Sequence, residues 1–298
     1  MPADYTDDLR LAHVLADDAD SLTMDRFRAL DLHVVTKPDL TPVSDADQLV
    51  EDALRAMLGR VRPRDAVLGE ESGASGWGPR RWVIDPIDGT KSFIRGVPIW
   101  ATLIGLMIED EVVAGVVSAP ALGYRWWASK GGGAWTGKSL HAASPCRVSD
   151  VTSIEDAHFS YASLTAWDGR ERFDRFLRLA RQCWRTRAVG DFWSYMLVAD
   201  GGVDIAAEPE LQLHDMAALS VIVDEAGGRF TSLDGTPGPS GGSALATNGR
   251  LHALAMAFLG TRDAGPPGNG HSGQVHDINS RRSRAAEGPA ADDDPSTT

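Results

Sequence analysis

A layered fold of the α/β or α+β class is what the sequence predicts. Segments whose apolar residues recur with helical spacing alternate with short apolar runs that are typical of strands. The composition, 43% hydrophobic and 24% charged over 298 residues, is that of a globular chain with a sizeable core. No internal repeat is visible. Because helices and strands follow one another repeatedly along the chain, we expect them to stack in layers.

Five segments have the spacing of amphipathic helices. The first is expected within residues 4–33, and the second begins at Ser44, which forms a pair like a capping box with Asp47. Gly59 is the expected end of that second helix. Residues 36–42 are polar and interrupted by prolines, which indicates a mobile loop beside a site. The other three helices are predicted over residues 172–183, 192–199 and 216–226.

Short apolar runs replace the helical pattern from residue 66 onwards. They cover residues 66–68, 82–84, 102–108 and 112–118 and are separated by turn residues. Residues 109–111 are all acidic and form a polar turn between the last two runs. These two runs are therefore predicted to form an antiparallel pair of strands.

The acidic excess of the chain limits its partners. Asp and Glu number 42 against 29 Lys and Arg, for a formal charge of −13, which disfavours binding to a nucleic-acid backbone. Carboxylates are also the ligands that Mg²⁺ and Ca²⁺ prefer, so the same excess suits a metal site.

Several features indicate a cytoplasmic protein. Cys146 and Cys183 are too few for a disulfide scaffold and suit a reducing compartment. The first 20 residues lack the cationic and apolar regions of a secretory signal. The longest apolar stretch, residues 100–108, has nine residues, far fewer than a membrane helix needs.

The composition changes after residue 261. Residues 262–298 are rich in Gly, Pro, Ser, Arg and Asp and contain no aromatic residue, which predicts a disordered tail. We expect residues 1–261 to fold, with an N-terminal half that extends to about residue 143 and a C-terminal half over residues 144–261.

The most informative stretch is residues 82–93, where an apolar strand runs into Asp85 and then Asp88. Two carboxylates so close at one turn repel each other unless a cation lies between them. Gly89 allows close approach of the backbone, and Thr90 is placed to begin a helix, whose N-terminus favours an anion such as phosphate. Cation ligands beside an anion site are what metal-assisted phosphoryl transfer requires. A surface turn with a helix cap is the alternative that these residues alone leave open.

Two more acidic elements favour the metal interpretation. Glu70 follows a short apolar run and so lies, like Asp85, at the end of a predicted strand. Asp215 opens an apolar helix, where it is either a helix cap or a metal ligand, and taken alone it favours the cap. His214 is expected to pack or hydrogen-bond beside it, since oxygen-rich sites for hard cations seldom include imidazole.

Taken in order, these motifs resemble the inositol monophosphatase family of Mg²⁺-dependent, lithium-sensitive sugar phosphatases. The family usually has Trp where this chain has His214, a position that is not a ligand. The resemblance implies an αβαβα sandwich of alternating helix and sheet layers, with the metal-binding residues mostly in the N-terminal half. It extends over about residues 9–258 and rests on residues 69–72, 82–90 and 213–218, with residues 225–228 following.

The family pattern also implies ligands and roles. Mg²⁺ would be bound as two or three ions. One ion would be held by Glu70, Asp85 and the backbone carbonyl of Ile87, and a second by Asp85, Asp88 and Asp215. Gly89, Thr90 and Asp88 would receive the substrate, and a metal-activated water near Glu70 and Thr90 would attack phosphorus. Asp45, on the Pro-broken loop, matches a family acid that orients Thr90, so Glu70, Thr90 and Asp45 are the expected catalytic residues.

Within the family, the chain is most similar to the histidinol-phosphatase branch known from actinobacteria, on residues 36–47 and 90–100. Histidinol phosphate carries an ammonium and an imidazole, so a site for it needs an acid. Glu208 occupies the family's acidic position for contacting substrate, and Asp191 is a further candidate.

Two further residues complete the expected substrate contacts. Arg187 resembles a ligand-contacting arginine of that branch, and Asn248 is a further candidate of the same kind. A surface ion pair for Arg187 and a turn cap for Asn248 are the alternatives. Trp126 and Trp127 can be buried on opposite faces, one of them in a contact between subunits, and members of the family are commonly dimers. A homodimer is therefore the expected assembly.

One motif is set aside. Residues 132–139 fit the phosphate-loop pattern of NTPases letter for letter, but that mechanism needs a buried strand before the loop and a helix after it. Residues 140–145 have no helical periodicity. A glycine-rich hairpin between two strands explains the stretch better.

The expected function is Mg²⁺-dependent hydrolysis of a phosphomonoester, with histidinol phosphate of histidine biosynthesis as the first choice of substrate. The same chemistry on inositol 1-phosphate or another small sugar phosphate is the nearest alternative. A catalytically silent, metal-binding regulatory protein and an NTPase are the alternatives from other classes.

Overall fold

Layers of helix and sheet alternate through residues 4–38 and 41–260, the part of the chain that the computed structural model describes. Two short 3-10 turns, Ile154–Asp156 and Leu164–Ala166, lie in the C-terminal half. The α-helices of the described part are α1 (Thr6–Arg26), α2 (Asp45–Val61), α3 (Thr90–Ile94), α4 (Phe173–Gln182), α5 (Asp191–Ala199), α6 (Leu213–Glu225) and α7 (His252–Leu259).

The strands of the same residues form three sheets. They are β1 (Val34–Thr36), β2 (Pro42–Ser44), β3 (Ala66–Gly69), β4 (Gly73–Ser75), β5 (Arg80–Asp88), β6 (Ala101–Ile108), β7 (Glu111–Ala119), β8 (Tyr124–Ser129), β9 (Ala134–Ser139), β10 (Ala142–Pro145), β11 (His158–Ser160), β12 (Arg185–Arg187), β13 (Ile205–Glu208), β14 (Arg229–Thr231) and β15 (Ala244–Thr247). The eight-stranded sheet has the order β10-β9-β8-β7-β6-β5-β3-β4 and is antiparallel except where β3 runs parallel to β5. The five-stranded sheet has the order β12-β11-β13-β15-β14, and β1 pairs with β2.

The hydrophobic clusters fix the order of the layers. Helices α1 and α2 cover one face of the eight-stranded sheet, where Leu15 and Leu54 pack with Trp82 of β5. Helices α5 and α6 cover its other face and also pack against the five-stranded sheet. Helices α4 and α7 cover the far face of that second sheet, where Phe176 and Leu259 are buried. The predicted αβαβα sandwich is therefore confirmed.

Two glycines let α6 lie close against the eight-stranded sheet. Gly105 of β6 and Gly115 of β7 are direct partners in the antiparallel register. A Cβ atom at Gly105 would lie 3.0 Å from the Cβ of Ala217, and one at Gly115 would lie 2.8 Å from Cγ1 of Val221. Larger residues would push α6 outwards, and Asp215 in its first turn would move with it.

Two helices end at residues other than those the sequence predicts. Helix α1 ends at Arg26, well inside the segment with helical spacing, because Phe27 adopts an extended conformation and its ring packs against Phe93 and Trp100. Helix α2 continues through Gly59, so the prediction that Gly59 ends it is wrong. The stop comes from Pro63, since the residue before a proline disfavours the helical conformation.

The glycine-rich stretch at residues 132–139 lies in a β-hairpin, as predicted. Strands β8 and β9 are antiparallel and are joined through Gly131 and Gly133, both at positive φ. Lys138 lies within β9, and strand β10 follows it where a phosphate loop requires a helix. The NTPase interpretation is therefore excluded.

Other expectations have mixed outcomes. Trp126 and Trp127 are buried on opposite faces of the eight-stranded sheet, as predicted, and both are at most 2% exposed, which leaves almost no surface of either ring for a contact between subunits. Cys146 and Cys183 are free thiols. Among the described helices, none combines the length and the apolar character needed to span a bilayer. The tail predicted over residues 262–298 lies outside the described residues.

Candidate active site

Three carboxylates converge at the end of strand β5. Asp85 and Asp88 flank an irregularity in the pairing of β5 with β6, and Asp215 lies in the first turn of α6. One oxygen atom from each carboxylate lies within 4.8 Å of the others. The structure thus brings together three of the predicted metal ligands.

Asp85 is the member of this cluster whose hydrogen bonding is incomplete. It is 2% exposed, and its Oδ1 atom has no hydrogen-bond donor among the described residues. Burial, together with the charges of Glu70, Asp88 and Asp215, raises the pKa of Asp85 well above its ordinary value. A buried carboxylate oxygen without a donor, set among other carboxylates, suits a divalent cation. The cluster therefore fits a metal ion that prefers oxygen ligands.

Asp88 and Asp215 hold helix starts as well as joining the cluster. The Oδ2 atom of Asp88 accepts a hydrogen bond from the backbone N–H of Phe192 in α5, at 2.6 Å. The Oδ2 atom of Asp215 accepts one from the N–H of Gln212 at 2.7 Å, so Asp215 is the N3 residue of a capping box and not the N-cap itself. His214 lies beside it as expected, its Nε2 atom 3.5 Å from Oδ1 of Asp215. Capping and cluster membership are compatible, because each carboxylate has two oxygens.

Glu70 follows β3, as predicted, and its carboxylate is paired with a lysine. The Nζ atom of Lys37 lies 2.8 Å from Oε1 of Glu70 and 2.7 Å from Oε1 of Glu71. Burial opposes the charge of Lys37, but the two carboxylates outweigh burial, and the pKa of Lys37 is raised. Sequence reasoning missed Lys37. A usable signal was that the chain has only four lysines, Lys37, Lys91, Lys130 and Lys138, among its 29 Lys and Arg residues.

Gly89 and Thr90 begin α3 next to the carboxylates, as the sequence predicts. Gly89 has φ of 85°, and a Cβ atom there would lie 2.9 Å from the carbonyl oxygen of Ile99 and 3.2 Å from Oδ2 of Asp191, so only glycine fits. The hydroxyl of Thr90 donates to the carbonyl oxygen of Ile87 at 3.0 Å. Because a carbonyl oxygen has two lone pairs, that bond leaves Ile87 able to bind a cation as well.

Asp47, and not Asp45, is the acid beside Thr90. The Oδ1 atom of Asp47 lies 3.5 Å from the Thr90 hydroxyl, while its Oδ2 atom accepts from the N–H and the hydroxyl of Ser44 at 2.8 and 2.6 Å. Asp45 is the first residue of α2, and its carboxylate is half exposed and pairs with Arg26 at 2.8 Å. The prediction that Asp45 orients Thr90 is therefore wrong, because Asp47 lies on the buried face of α2 and Asp45 does not.

Glu208 and Asp191 form an acidic wall next to the cluster. Glu208 ends β13, is 7% exposed and accepts a hydrogen bond from the hydroxyl of Tyr195 at 3.4 Å. Burial raises the pKa of Glu208 well above its ordinary value, and the charges of Asp191 and Asp215 raise it further. Asp191 begins α5 with a left-handed φ of 48°, a conformation that side chains other than glycine seldom adopt. Both of these predicted substrate acids lie at the site.

The cavity above the acids has a volume of about 400 Å³. Its walls combine acids, the start of α3 and two lysines, and they include Glu70, Gly89, Thr90, Asp191, Asp215, Lys37 and Lys91. The first turns of helices α3, α5 and α6 all contribute residues to the lining of this cavity, so the positive ends of their dipoles favour an anion there.

Four predicted substrate contacts are not among the residues that line this cavity: Asp88, Arg187, Glu208 and Asn248. Arg187, at the end of β12, is exposed and donates to the carbonyl oxygen of the preceding residue at 2.8 Å. Asn248 is 1% exposed, accepts from the N–H of Leu251 at 3.0 Å and donates to the hydroxyl of Ser149 at 2.9 Å. The turn-cap alternative is therefore right for Asn248.

Clustered carboxylates next to an anion-binding helix start define the class of metal-dependent phosphoester sites. The chain belongs to the inositol monophosphatase family, whose model matches residues 4–261. A histidinol-phosphatase of Streptomyces coelicolor is 61% identical over 88% of this chain and 100% of its own length, and one of Mycobacterium tuberculosis is 57% identical over 85% and 98%. A solved inositol monophosphatase from Zymomonas mobilis superposes with a TM-score of 0.75 at 30% identity, over 86% of this chain and 99% of that one. The predicted family is confirmed.

Proposed function

We propose that this protein is a Mg²⁺-dependent phosphomonoesterase that hydrolyses L-histidinol phosphate to L-histidinol and phosphate, a step of histidine biosynthesis in the cytoplasm. The main support for the proposal is the cluster of Asp85, Asp88 and Asp215, in which the buried Oδ1 atom of Asp85 has no hydrogen-bond donor among the described residues. The choice of substrate is supported by the two histidinol-phosphatases that are 61% and 57% identical to this chain.

The acids divide between two or three Mg²⁺ positions. Glu70, Asp85 and the carbonyl oxygen of Ile87 would be ligands at one position, and Asp85, Asp88 and Asp215 at another. When bound, the ions supply charge neutralisation of the phosphate and lower the pKa of water. Burial, with added repulsion from neighbouring carboxylates, raises the pKa of Asp85 and of Asp88 well above the ordinary value. This supports the assignment, because a bound cation would stabilise both carboxylates in their ionised form.

Thr90 is the residue that directs the attacking water. Its hydroxyl lies 3.0 Å from the carbonyl oxygen of Ile87 and 3.5 Å from Asp47, so its proton is committed to one of them and its oxygen can still accept a hydrogen bond from water. The N–H groups of Gly89 and Thr90 at the start of α3 would bind phosphate oxygens. A bond forms between the water oxygen and phosphorus, the ester P–O bond breaks, and the proton that the attacking water loses passes to the departing alkoxide.

Glu208 and Asp191 would select a cationic substrate. Histidinol phosphate brings an ammonium group and an imidazole, whereas inositol phosphate offers only hydroxyls. Two acids whose pKa values are raised by burial, with the repulsion of neighbouring carboxylates adding to the shift at Glu208, gain most from a positive partner. The ammonium group of the substrate is therefore expected to lie against Glu208.

Phosphate release from a substrate panel tests the proposal. The panel contains histidinol phosphate, inositol 1-phosphate, fructose 1,6-bisphosphate and 3′-phosphoadenosine 5′-phosphate, each with Mg²⁺ and with EDTA. We expect the highest kcat/KM on histidinol phosphate and no turnover in EDTA. A preference for inositol 1-phosphate would contradict the substrate but keep the chemistry, and no turnover of any ester with Mg²⁺ would favour a silent metal-binding protein.

We also propose that the chain forms a homodimer, on the family resemblance. Trp184, which precedes the edge strand β12, is 61% exposed and supports a contact there. Sedimentation velocity should give a species of twice the 31.9 kDa chain mass. A single species at the chain mass, at micromolar concentration, would contradict this assembly.

A further inference from the structure

Glu51 is a buried carboxylate that the acid cluster does not include. It lies on the inner face of α2 and is 0% exposed. A charge without access to water needs strong partners, because the free energy of desolvation is large. The hydrogen-bond partners of Glu51 therefore indicate the role of its carboxylate.

Three donors converge on the Glu51 carboxylate. The backbone N–H of Glu71 donates to its Oε2 atom at 2.7 Å, and that of Ser72 donates to its Oε1 atom at 2.9 Å. The Nε atom of Arg55, one turn along the helix, lies 2.7 Å from Oε1. Arg55 also donates to the carbonyl oxygen of Gly73 and to the hydroxyl of Ser75 at 2.8 Å. Glu51 and Arg55 of α2 thus form hydrogen bonds along the turn between β3 and β4 and into β4.

The space around Gly69 shows how closely the Glu51 carboxylate approaches that turn. A Cβ atom at Gly69 would lie 2.3 Å from Cδ of Glu51 and within 2.5 Å of both its oxygens. The glycine that precedes Glu70 in the motif is therefore required by the buried carboxylate, not by its own backbone dihedrals.

Glu70 is the residue held between these contacts. Its own N–H donates to the carbonyl oxygen of Ile84 in β5 at 3.2 Å, and the next two N–H groups are bound by Glu51. The main chain is therefore fixed on both sides of Glu70. The Nζ atom of Lys37 contacts the side-chain carboxylates of Glu70 and Glu71 and not their backbone, so it does not substitute for this backbone restraint.

We propose that Glu51 is a positioning residue for Glu70: by binding the two N–H groups that follow Glu70, it sets where the Glu70 carboxylate meets the cation and the attacking water. This inference rests on the proposed role of Glu70 as a metal ligand. Glu51 acts through the turn and touches neither substrate nor metal. Groups that orient metal ligands typically contribute about tenfold to a hundredfold in metal affinity or turnover.

The test compares Glu51→Gln with a control of similar chemistry elsewhere. Glutamine keeps the volume but turns an NH₂ group towards one of the backbone donors. The control is Asp20→Asn on α1, a half-buried carboxylate that accepts from Ser118 at 2.8 Å and from Arg125 at 2.6 Å, away from the cavity. Mn²⁺ affinity is measured by electron paramagnetic resonance of free Mn²⁺, with kcat, KM and Tm on the same samples.

We expect Glu51→Gln to weaken Mn²⁺ binding about tenfold and to lower kcat about tenfold, with KM within twofold. Asp20→Asn should lower Tm while Mn²⁺ affinity and kcat stay within twofold. If Glu51→Gln does not fold, Arg55→Met removes the partner that orients the carboxylate and should give the same changes, about threefold each. Wild-type Mn²⁺ affinity in the folded Glu51 or Arg55 variant, or equal losses in Asp20→Asn, would overturn the inference. No Mn²⁺ binding by the wild-type protein would instead overturn the proposed function.

Discussion

The acids of the site come from two regions that hold them differently. Asp85 and Asp88 project from β5, a central strand paired with β3 and with β6, and Glu70 follows the neighbouring strand. Asp191 and Asp215 lie in the first turns of α5 and α6. The first region belongs to the eight-stranded sheet, and the second belongs to the C-terminal half.

The two regions are therefore expected to have different roles. The backbone of a central strand is held by hydrogen bonds from the strands on both sides, which suits carboxylates that act as cation ligands at fixed positions. The second region supplies the proposed cation ligand Asp215 and the acid Asp191, which both line the cavity, and Glu208, which is buried and interacts electrostatically with both. We expect changes in the first region to lower turnover and changes at the wall to alter the choice of substrate.

The largest effect is expected at Asp88, where the two regions meet through its bond to Phe192. Asp88→Asn removes one charge from the cluster and should lower kcat about a hundredfold or more, since metal-borne charge stabilisation amounts to several kcal/mol. Steady-state kinetics with saturating Mg²⁺ measures it. Turnover within threefold of wild type would remove Asp88 from the set of ligands.

The next effect separates two acids on the same helix. Asp47→Asn should lower kcat about tenfold, because it weakens the partner that orients Thr90, whereas Asp45→Asn should stay within twofold. In a Thr90→Ala background, Asp47→Asn should have no further effect, since the two residues act as one unit. Additive losses in that double variant would show that Asp47 acts by another route.

A smaller and more selective effect is expected at the acidic wall. Glu208→Gln should raise the KM for histidinol phosphate about tenfold, the loss of one charge-assisted contact, and leave inositol 1-phosphate within threefold. The ratio of the two kcat/KM values is the readout. Equal losses of kcat/KM on both esters would mean that Glu208 stabilises the site and does not distinguish between the substrates.

The smallest effect concerns a buried group outside the site. Burial, with a smaller contribution from Arg229, lowers the pKa of His252 to about 4, and its ring lies 3.1 Å from the hydroxyls of Thr231 and Thr247. The folded state favours the neutral ring, so this contribution is complete above pH 6.5 and is lost as the pH falls towards 4. Between pH 7 and pH 5 it should amount to about 1 kcal/mol of unfolding free energy.

Urea unfolding at the two pH values measures that contribution. The difference between pH 7 and pH 5 should be smaller in His252→Gln than in wild type. The site acids should act with the opposite sign in metal-free protein, because a raised pKa makes the folded state gain stability as the pH falls. An unchanged difference in His252→Gln would contradict the assignment to this ring.

The sequence was informative where the chemistry is local. Residues 82–93 contain a strand, two carboxylates, a glycine and a helix start in one run, and the structure has each of them in place. The strand is apolar on both faces because helices cover both sides of its sheet, so its pattern is a continuous run and not an alternation.

Helical phase explains the error at Asp45. The buried stripe of α2 contains Val50, Leu54 and Leu58, and steps of three or four residues from it reach Asp47 and Glu51 but not Asp45. The signal was therefore present in the sequence, and the resemblance to a family motif displaced it by two positions.

Other contacts depend on distant segments, and no local pattern encodes them. Lys37 reaches Glu70 across 33 residues, and Asn248 reaches Ser149 across 99. Which loop approaches which strand end is decided by the packing of whole layers. Arg187 is an example of the converse, a motif residue that the edge position of β12 leaves outside the cavity.

We propose that a single divalent cation, on which turnover depends, is shared by Asp85, Asp88 and Asp215. Anomalous diffraction from crystals of the active enzyme grown with Mn²⁺ tests it most directly. We expect an anomalous peak bounded by these three carboxylates, and we expect it to disappear in Asp88→Asn crystals. Manganese bound only elsewhere, in crystals whose enzyme hydrolyses histidinol phosphate, would contradict it.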